Sequence, residues 1–507
     1  MQQAICSRPR NIAEYLAKEL ELNRMLGPFD ITNERFQSVH VNRFGVIPKG
    51  HNTGKWRLIT DLSYPPGNSV NDGIESSLCS LHYTSVEDVA MKAAQLGRGS
   101  LIAKVDIESA YRLIPVHPGD RWLLGTRWEN RLYIDPMLPF GLRSAPKIFN
   151  AIADALEWRL KAVGIQHVYH YLDDFAVLGA PETDECFQAV EKLHKTCTEL
   201  GVPIAAHKSE GPTTHITFLG IVIDTIAGEL RLPMEKLDHI RRLLTEWGDR
   251  KSCTRRELES LIGILNHACK VIRPGRSFLR RMIDLLQQCR KAHHIRLNHN
   301  FRSDLQWWST FAATWNGVSY LATDATQIFA SDAFGTWGCG AWHGTSWFQW
   351  QWGPLSRERD ISEKEMLPIV LAAIIWGPAW HSQSVLCYCD NQAVVAVLRS
   401  RTCKQPGLMH MLRCLCFVEA AYNFRLVTTH ITSVENNIAD DISRGNMHAF
   451  FSKVPEANKE PARVPTVAVE MLLDRAADWT SPAWTRHFTS IATTDWLHRH
   501  TSRMIRD

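Results

Sequence analysis

The run HVYHYLDDFAVLG, residues 167–179, sets two carboxylates, Asp173 and Asp174, side by side among residues that otherwise suit a buried strand. Its shape is that of a hairpin, two strands around a two-residue polar turn. Shape does not offset charge: two carboxylates ~4 Å apart repel by about 4 kcal/mol at an effective dielectric near 20. A bound divalent cation would offset it, because hard cations take carboxylate oxygens. The dipeptide alone is weak support, since Asp440 and Asp441 repeat it. A third carboxylate, Asp106, ends the strand-like run in LIAKVDIESAYRLIPV. One acid from a strand end and two from a hairpin tip can converge on two divalent ions, the arrangement that two-metal phosphoryl transfer requires. Upstream, GVIPKGHNTGKWRLITDL supplies Lys49, Lys55 and Arg57 around a glycine-rich turn that suits a triphosphate. It is not a P-loop, because only three residues separate Gly50 from Gly54 and Trp56 stands where Ser or Thr should follow the lysine.

A second acidic set recurs downstream: Asp332 in FASDAFGTWGCGAW, Glu365 in ISEKEMLPIV, Asp390 in CYCDNQAVV and Asp440 in ENNIADDISR. Four carboxylates around two Mg²⁺ ions could activate a water and stabilise the leaving oxygen in phosphodiester hydrolysis. Each has a competitor or a plainer reading. Asp324 competes with Asp332, Glu363 with Glu365 and Asp441 with Asp440, and Ser362 with Glu365 also fits an S-x-x-E capping box. His430, ten residues before Asp440, reads on its own as a hydrogen-bonded surface histidine.

These residues need strands and helices to hold them. Between residues 40 and 224, VNRFGVIPK, KWRLITDLS, SLIAKVDI, VYHYL, FAVLG and ITFLGIVID read as strands, and APKIFNAIADALEWRLKAVG as a helix with Pro146 near its start. On that helix Ile148, Ile152, Leu156 and Leu160 repeat every four residues, which predicts one buried stripe. Residues 231–292 are helical in pattern. From about 328 to 445, strand-like IFASDAF, GCGAWH, SWFQWQW, SVLCYCD and FRLVTTHI alternate with helices EKEMLPIVLAAIIW and NQAVVAVLRS. Residues 446–465 carry three prolines and read as a linker, and VAVEMLLDRAADW as a last helix. The pattern predicts two α/β units joined by a basic helical region.

The 507 residues suffice for roughly three domains. The most apolar run, LPIVLAAIIWG, is far short of the ~20 residues of a membrane span, and no secretion signal is visible at the N-terminus. Thirteen scattered cysteines without C-x-x-C read as reduced intracellular thiols. The C-x-C pairs Cys387/Cys389 and Cys414/Cys416 fit strand alternation or helix burial better than structural zinc. Residues 231–296 hold sixteen Lys or Arg against seven Asp or Glu. That balance suits a polyanion, or a solvated helical face.

KWRLITDLS, VDIESAY, LPFGLRSAPKIFN, YLDD and TFLG occur in the order and approximate spacing of the palm and fingers of reverse transcriptases, and the chain resembles that family. The resemblance implies that Asp106, Asp173 and Asp174 hold the catalytic metals, that Lys49 and Arg57 face the incoming triphosphate, and that Phe140 with Gly141 lines the nucleotide site. It implies that Tyr111 is the aromatic gate against a ribose 2′-hydroxyl, which points to DNA rather than RNA synthesis. Phe218, Leu219 and Gly220 would form the primer grip. The downstream set resembles ribonuclease H, whose order is Asp, Glu, Asp, Asp. This selects Asp332, Glu365, Asp390 and Asp440, with His430 as the mobile-loop histidine that helps product release.

The fold class expected is multi-domain α+β: right-hand polymerase fingers and palm over residues 1–230, a basic helical thumb and connection over 231–325, a ribonuclease H-like α/β domain over 326–445, and a linker with a helical tail over 446–507. The function expected is RNA-directed DNA polymerase with ribonuclease H activity. Two Mg²⁺ per site are implied, Mn²⁺ being accepted by the same oxygens. The partners implied are RNA template, DNA primer, RNA–DNA hybrid and deoxynucleoside triphosphates, with no membrane. The alternative from another class is a catalytically silent nucleic-acid-binding or domesticated remnant. GKWRLITDLSYPPGNSVND, SLIGILNHACKVIRPGRSFLRRM, DLQWWSTF and LLDRAADWTSPAWTRHF resemble DIRS-type retrotransposons. That implies a segment of a longer product, a recombinase encoded by the same element, and a cytoplasmic or nuclear location without secretion.

Overall fold

The structure, a computed structural model, describes residues 9–48, 56–289, 294–313, 316–320, 325, 327–380, 383–422 and 424–474. The chain divides into two compact units, Met1–Gly228 and Glu229–Asp507.

The first unit begins with α1 (Pro9–Glu21), β1 (Leu26–Asp30), β2 (Val41–Pro48) and β3 (Trp56–Asp61). Helix α2 (Val86–Leu96) starts at a capping box in which Ser85 and Asp88 satisfy each other's backbone N–H. Next come β4 (Leu101–Asp106), β5 (Gly125–Trp128), β6 (Arg131–Ile134), α3 (Ala145–Ala162), β7 (Val168–Tyr171) and β8 (Asp174–Gly179). The unit closes with α4 (Glu185–Glu199), β9 (Glu210–Thr213), β10 (His215–Phe218) and β11 (Ile221–Asp224). One sheet has the order β1-β6-β5-β2-β3, and a second, antiparallel throughout, the order β7-β8-β4-β9. Ala103, Val105, Phe175 and Val177 of the second sheet pack against Phe149, Leu156 and Leu160 of α3 and Leu193 of α4. Each large apolar side chain so buried contributes about 1.5–3 kcal/mol. These helices hold the β4 and β8 strand ends, and so the acids on them, in fixed positions.

Two local expectations change here. The α3 stripe is buried only at Leu156 and Leu160; Ile148 and Ile152 are 40% and 45% exposed, and Phe149 and Ala153 take their place. A four-residue repeat drifts about 40° per step on a helix of 3.6 residues per turn, so Ile148 lies about 120° from Leu160. ITFLGIVID is not one strand but the β10–β11 hairpin, with Ile216 opposite Ile223. It reverses at Leu219 and Gly220, whose φ of 49° and 75° are both left-handed, as a type I′ turn requires.

The second unit opens with short strands β12 (Glu229–Arg231) and β13 (Ser252–Cys253), then β14 (Ile295–Arg296) and β15 (Val318–Ser319), which pair β12 with β15 and β13 with β14. Among them run α5 (Met234–Asp249), α6 (Arg255–Ala268), α7 (Arg280–Gln288) and α8 (His299–Phe311). Leu237, Ile240, Leu244 and Trp247 face inward on α5, while Arg241 and Arg242 are exposed. The second sheet of this unit comprises β16 (Gln327–Ala333), β17 (Gly338–His343), β18 (Ser346–Gln351), β19 (Ser384–Cys389) and β20 (Arg425–His430). Its order is β18-β17-β16-β19-β20, the first three strands antiparallel and the last three parallel. Helices α9 (Pro354–Arg357), α10 (Ile361–Trp376), α11 (Gln392–Ser400), α12 (Pro406–Tyr422), α13 (Asn437–Arg444), α14 (Met447–Lys453) and α15 (Thr466–Leu473) complete it.

Helix α10 is buried from Glu363 to Ile374, on every face, and α12 packs along it. Cys387 and Cys389 alternate inward on β19, and Cys414 and Cys416 are buried on α12, as strand alternation and helix burial predict. Residues 446–465 are not a bare linker. Helix α14 places Phe450 against Trp347 and Ile442, and Trp347 Nε1 donates to the Asn458 carbonyl at 2.7 Å. Prolines 455, 461 and 465 bend a segment that apolar contacts nonetheless fix. The tail helix ends at Leu473 rather than continuing as VAVEMLLDRAADW, and residues 475–507 lie outside the described residues. No helix among the described residues is long and apolar enough to cross a membrane.

Candidate active sites

In the first unit the β7–β8 hairpin pairs Tyr171 with Asp174, and its turn is made by Leu172, at φ 53°, and Asp173. Across the sheet Asp106 is the register partner of Asp174, and the N–H of Ile107 donates to the Asp173 carbonyl at 2.9 Å. Carboxylates from two distant sequence runs thus gather at the ends of the two central strands of this sheet. Burial, then the charges of Asp173 and Asp106, push the Asp174 carboxyl up to about 6, while Lys104 and Lys208 oppose the rise. Asp106 is only 7% exposed, and Lys208 Nζ lies 2.7 Å from its Oδ1. Lys208 escaped the sequence reading because it sits 102 residues from its partner. Only a topology that returns the chain to β4 through β9 shows it.

Tyr111 packs on Phe140 and Phe149, with ring centroids 5.3 and 5.7 Å apart. Burial, then the charge of Asp173, push its hydroxyl up to about 12, so the ring stands within electrostatic reach of the triad. Gly141 has φ 108°, and a Cβ there would meet the Thr60 carbonyl oxygen at 2.4 Å. Buried Asn71 pins this turn: its Nδ2 donates to the Gly141 carbonyl at 2.9 Å and its Oδ1 accepts from Arg143 N–H at 2.8 Å. Arg57 lies on β3 opposite Ile47, but its side chain, with Lys49 and Lys55, lies outside the described residues. Leu219 and Gly220 form the β10–β11 turn and are partly exposed. Phe218 precedes the turn. Its side chain is fully buried and anchors the hairpin.

In the second unit Asp332 lies on β16, Glu365 on α10, Asp390 just beyond β19 and Asp440 on α13. Glu365, Cys389 and Asp390 each place a ligand atom within 4.8 Å of the other two, the only such His, Cys, Asp or Glu group among the described residues. Glu365 is 6% exposed, and its Oε2 has no hydrogen-bond partner. Burial, then the charges of Asp332 and Asp390, push its carboxyl up to about 9. Burial likewise raises Asp332 to about 6, with Asp390 and Asp440 adding to the rise and the Ser443 hydroxyl, 2.5 Å from Oδ2, opposing it. The four acids therefore act on one another. Ser433 Oγ donates to Asp390 Oδ2 at 2.7 Å, and His430 Nε2 is 3.1 Å from the Asp390 carbonyl. Asp440 Oδ1 accepts from Arg444 Nε at 2.7 Å.

The competitors are occupied elsewhere. Asp441 is paired with Lys453 of α14 at 2.5 Å, and Glu363 with Arg359 at 3.4 Å. Asp324 lies outside the described residues. Ser362 and Glu365 do not form the capping box: Asp360 caps α10 by accepting from the Ser362 N–H, which frees Glu365 to turn inward. Both acidic clusters fit hard cations chemically, through carboxylate oxygens that repel one another and, at Glu365, an oxygen buried without a partner.

An antiparallel four-stranded sheet with three acids at the ends of its two central strands, beside a helix-packed aromatic and a glycine turn, has the fold of a polymerase palm. Residues 47–223, about a third of the chain, match the family model described as reverse transcriptase (RNA-dependent DNA polymerase). The chain is 26% identical over 180 residues to Polyprotein P3 of Commelina yellow mottle virus, covering 34% of this chain and 9% of that protein. It is 25% identical over 179 residues to the Transposon Tf2-3 polyprotein of Schizosaccharomyces pombe, covering 35% of this chain and 12% of that one. It thus spans about a tenth of the length of these curated relatives. A foamy viral protease-reverse transcriptase in complex with RNA/DNA hybrid has a similar fold, with TM-score 0.50, 16% identity and coverage of 83% of this chain and 54% of that one. The fold is that of fingers, palm and thumb in a mixed α+β chain.

Proposed function

We propose that the chain copies RNA into DNA at the Asp106, Asp173 and Asp174 site and cleaves the RNA of the resulting hybrid at the Asp332, Glu365, Asp390 and Asp440 site. The register pairing of Asp106 with Asp174, with Asp173 in the adjoining turn, carries the first half. When bound, divalent cations supply neutralisation of the triphosphate and activation of the attacking oxygen at both sites. The three palm acids would hold them in the first unit, and the four downstream acids in the second. Tyr111 closes the space beside the sugar through its packing on Phe140 and Phe149, which supports deoxynucleotide over ribonucleotide addition. Asn71 fixes the Gly141 turn on which the incoming base and sugar would rest. His430 is positioned at Asp390 by its contact with the backbone carbonyl, which suits a role in product release.

The exposed arginines of α5 and the basic balance of residues 231–296 suit phosphate contacts with primer and template, so binding should weaken steeply with salt. The tail and thumb motifs support a DIRS-type retrotransposon source with a recombinase as partner. Primer extension on an RNA template with Mg²⁺ tests the polymerase half. Asp173→Asn should abolish extension; equal extension by wild type and variant overturns the assignment and leaves a nucleic-acid binder. On a labelled RNA–DNA hybrid, Asp390→Asn should abolish cleavage and leave extension largely intact.

A further inference from the structure

We propose that the second acidic cluster also binds a thiophilic divalent cation, Zn²⁺ or Cd²⁺, through Cys389, Glu365 and Asp390, and that this ion shuts off hybrid cleavage. The second clause rests on the ribonuclease reading of this site; the first does not. Cys389 ends β19 with its thiol buried, one residue before Asp390, and ligand atoms of all three residues already lie within 4.8 Å of one another. Glu365 adds an independent pointer to a ligand: it is only 6% exposed, and its Oε2 meets no donor. Asp390 engages Ser433 through Oδ2, so Oδ1 is the oxygen available to an ion.

The geometry is close to what such an ion needs. Zn–S bonds of ~2.3 Å and Zn–O bonds of ~2.1 Å in a tetrahedron put ligand atoms ~3.5 Å apart, so atoms within 4.8 Å of one another need close by no more than ~1.3 Å. Three protein ligands leave a fourth position for water. The Asn391 N–H points at Cys389 Sγ from 3.4 Å, whereas burial and the charges of Glu365 and Asp390 push the thiol well above its ordinary range, so the sulfur gives up its proton only to a metal. On binding, the thiol proton passes to solvent and the sulfur takes the metal. Thiolate sulfur prefers Zn²⁺ and Cd²⁺ over Mg²⁺, which is held by oxygen alone. An ion so held occupies two of the four acids that Mg²⁺-dependent hydrolysis would use. The group of Asp106, Asp173 and Asp174 includes no thiol, so thiophilic ions should separate the two activities.

The full chain is titrated with Cd²⁺ without Mg²⁺, following the ultraviolet thiolate-to-cadmium charge-transfer band, for wild type, Cys389→Ala and Cys389→Ser. The serine variant keeps the volume of the buried site should the alanine variant fold poorly. One equivalent of the band should disappear in both variants, and Asp390→Asn should weaken that equivalent about tenfold. In cleavage of a labelled hybrid, each protein normalised to its own rate without Zn²⁺, the half-inhibitory Zn²⁺ concentration should rise about tenfold in Cys389→Ser, with inhibition relieved by added Mg²⁺. Equal band intensity and equal inhibition in wild type and Cys389→Ser overturn the proposal. A band that depends on Cys389 in a wild-type chain that cleaves no hybrid upholds the metal site and refutes the ribonuclease reading instead.

Discussion

Lys208 Nζ lies 2.7 Å from Asp106 Oδ1, so a cation from the segment before β9 already answers the repulsion among the palm acids. Removing it by Lys208→Met leaves three mutually repelling carboxylates. The variant should lose about 1 kcal/mol of stability, a modest figure because the ammonium is 46% exposed. Added Mg²⁺ should then raise its melting temperature more than it raises that of wild type. Thermal unfolding with and without Mg²⁺ checks this; an identical Mg²⁺-induced rise in both proteins overturns it.

Tyr111 packs on Phe140 and Phe149, and the proposed function makes its ring the bulk that excludes a 2′-hydroxyl. Tyr111→Ala should raise incorporation of ribonucleotides relative to deoxynucleotides by roughly 10- to 100-fold, the range that one steric contact commands. Single-nucleotide incorporation kinetics measure the ratio. No change would favour RNA synthesis as the native reaction.

Glu365 links the second site to pH. Its carboxyl is raised to about 9 in the folded chain against 4.5 in the unfolded one, so the folded state holds a proton that the unfolded state has lost. Stability from this group is therefore full below about 4.5 and falls as pH rises toward 9 in chelator. Glu365→Gln should flatten that slope and raise the melting temperature at pH 8 by about 2–4 °C per kcal/mol recovered, while abolishing hybrid cleavage. At limiting Mg²⁺, wild-type cleavage should climb with pH toward 9 as metal and proton compete. Melting curves across pH, in chelator and in Mg²⁺, decide it.

Arg112 is buried between Glu19 and Asp135, with Nη2 2.9 Å from Glu19 Oε2 and Nη1 2.6 Å from Asp135 Oδ1. Next to Tyr111 in the chain, it ties α1, through Glu19, to Asp135. Burial raises the Asp135 carboxyl above the ordinary range, and the Arg112 charge works against the rise. Arg112→Met strands two buried acids and should cost about 3–5 kcal/mol. Because the stranded acids can then relieve the cost by taking up protons, the loss should shrink as pH falls. Denaturant unfolding at pH 8 and pH 5 tests both statements; a cost independent of pH would sink the second.

Much of the site was legible because carboxylates at strand ends mark themselves: LIAKVD, YLDD, FASD and CYCD each break an apolar run with an acid. The sheet edges follow from those runs. What sequence could not supply was pairing between distant segments. Lys208 against Asp106, Ser443 against Asp332 and Asn71 against Gly141 join residues 102, 111 and 70 positions apart. Helix α12 shows no single apolar stripe because Leu408, Met411, Leu412, Cys414, Leu415 and Val418 are all buried, so periodicity gives no signal. Ile148 shows the converse error, in which a regular spacing promised burial that the helix repeat does not deliver.

The segment after α13 resembles a place where a polyprotein could be cut, with prolines at 455, 461 and 465. Its contacts make it a poor one. A cut just after Pro455 would leave Phe450 and Lys453 joined to α13 but would detach Asn458, whose carbonyl accepts from Trp347 Nε1 at 2.7 Å. Asp441, the acid beside Asp440, is tied through Lys453 to the segment itself, so a cut on the α13 side of Lys453 would release both that ion pair and the brace on the helix that carries Asp440.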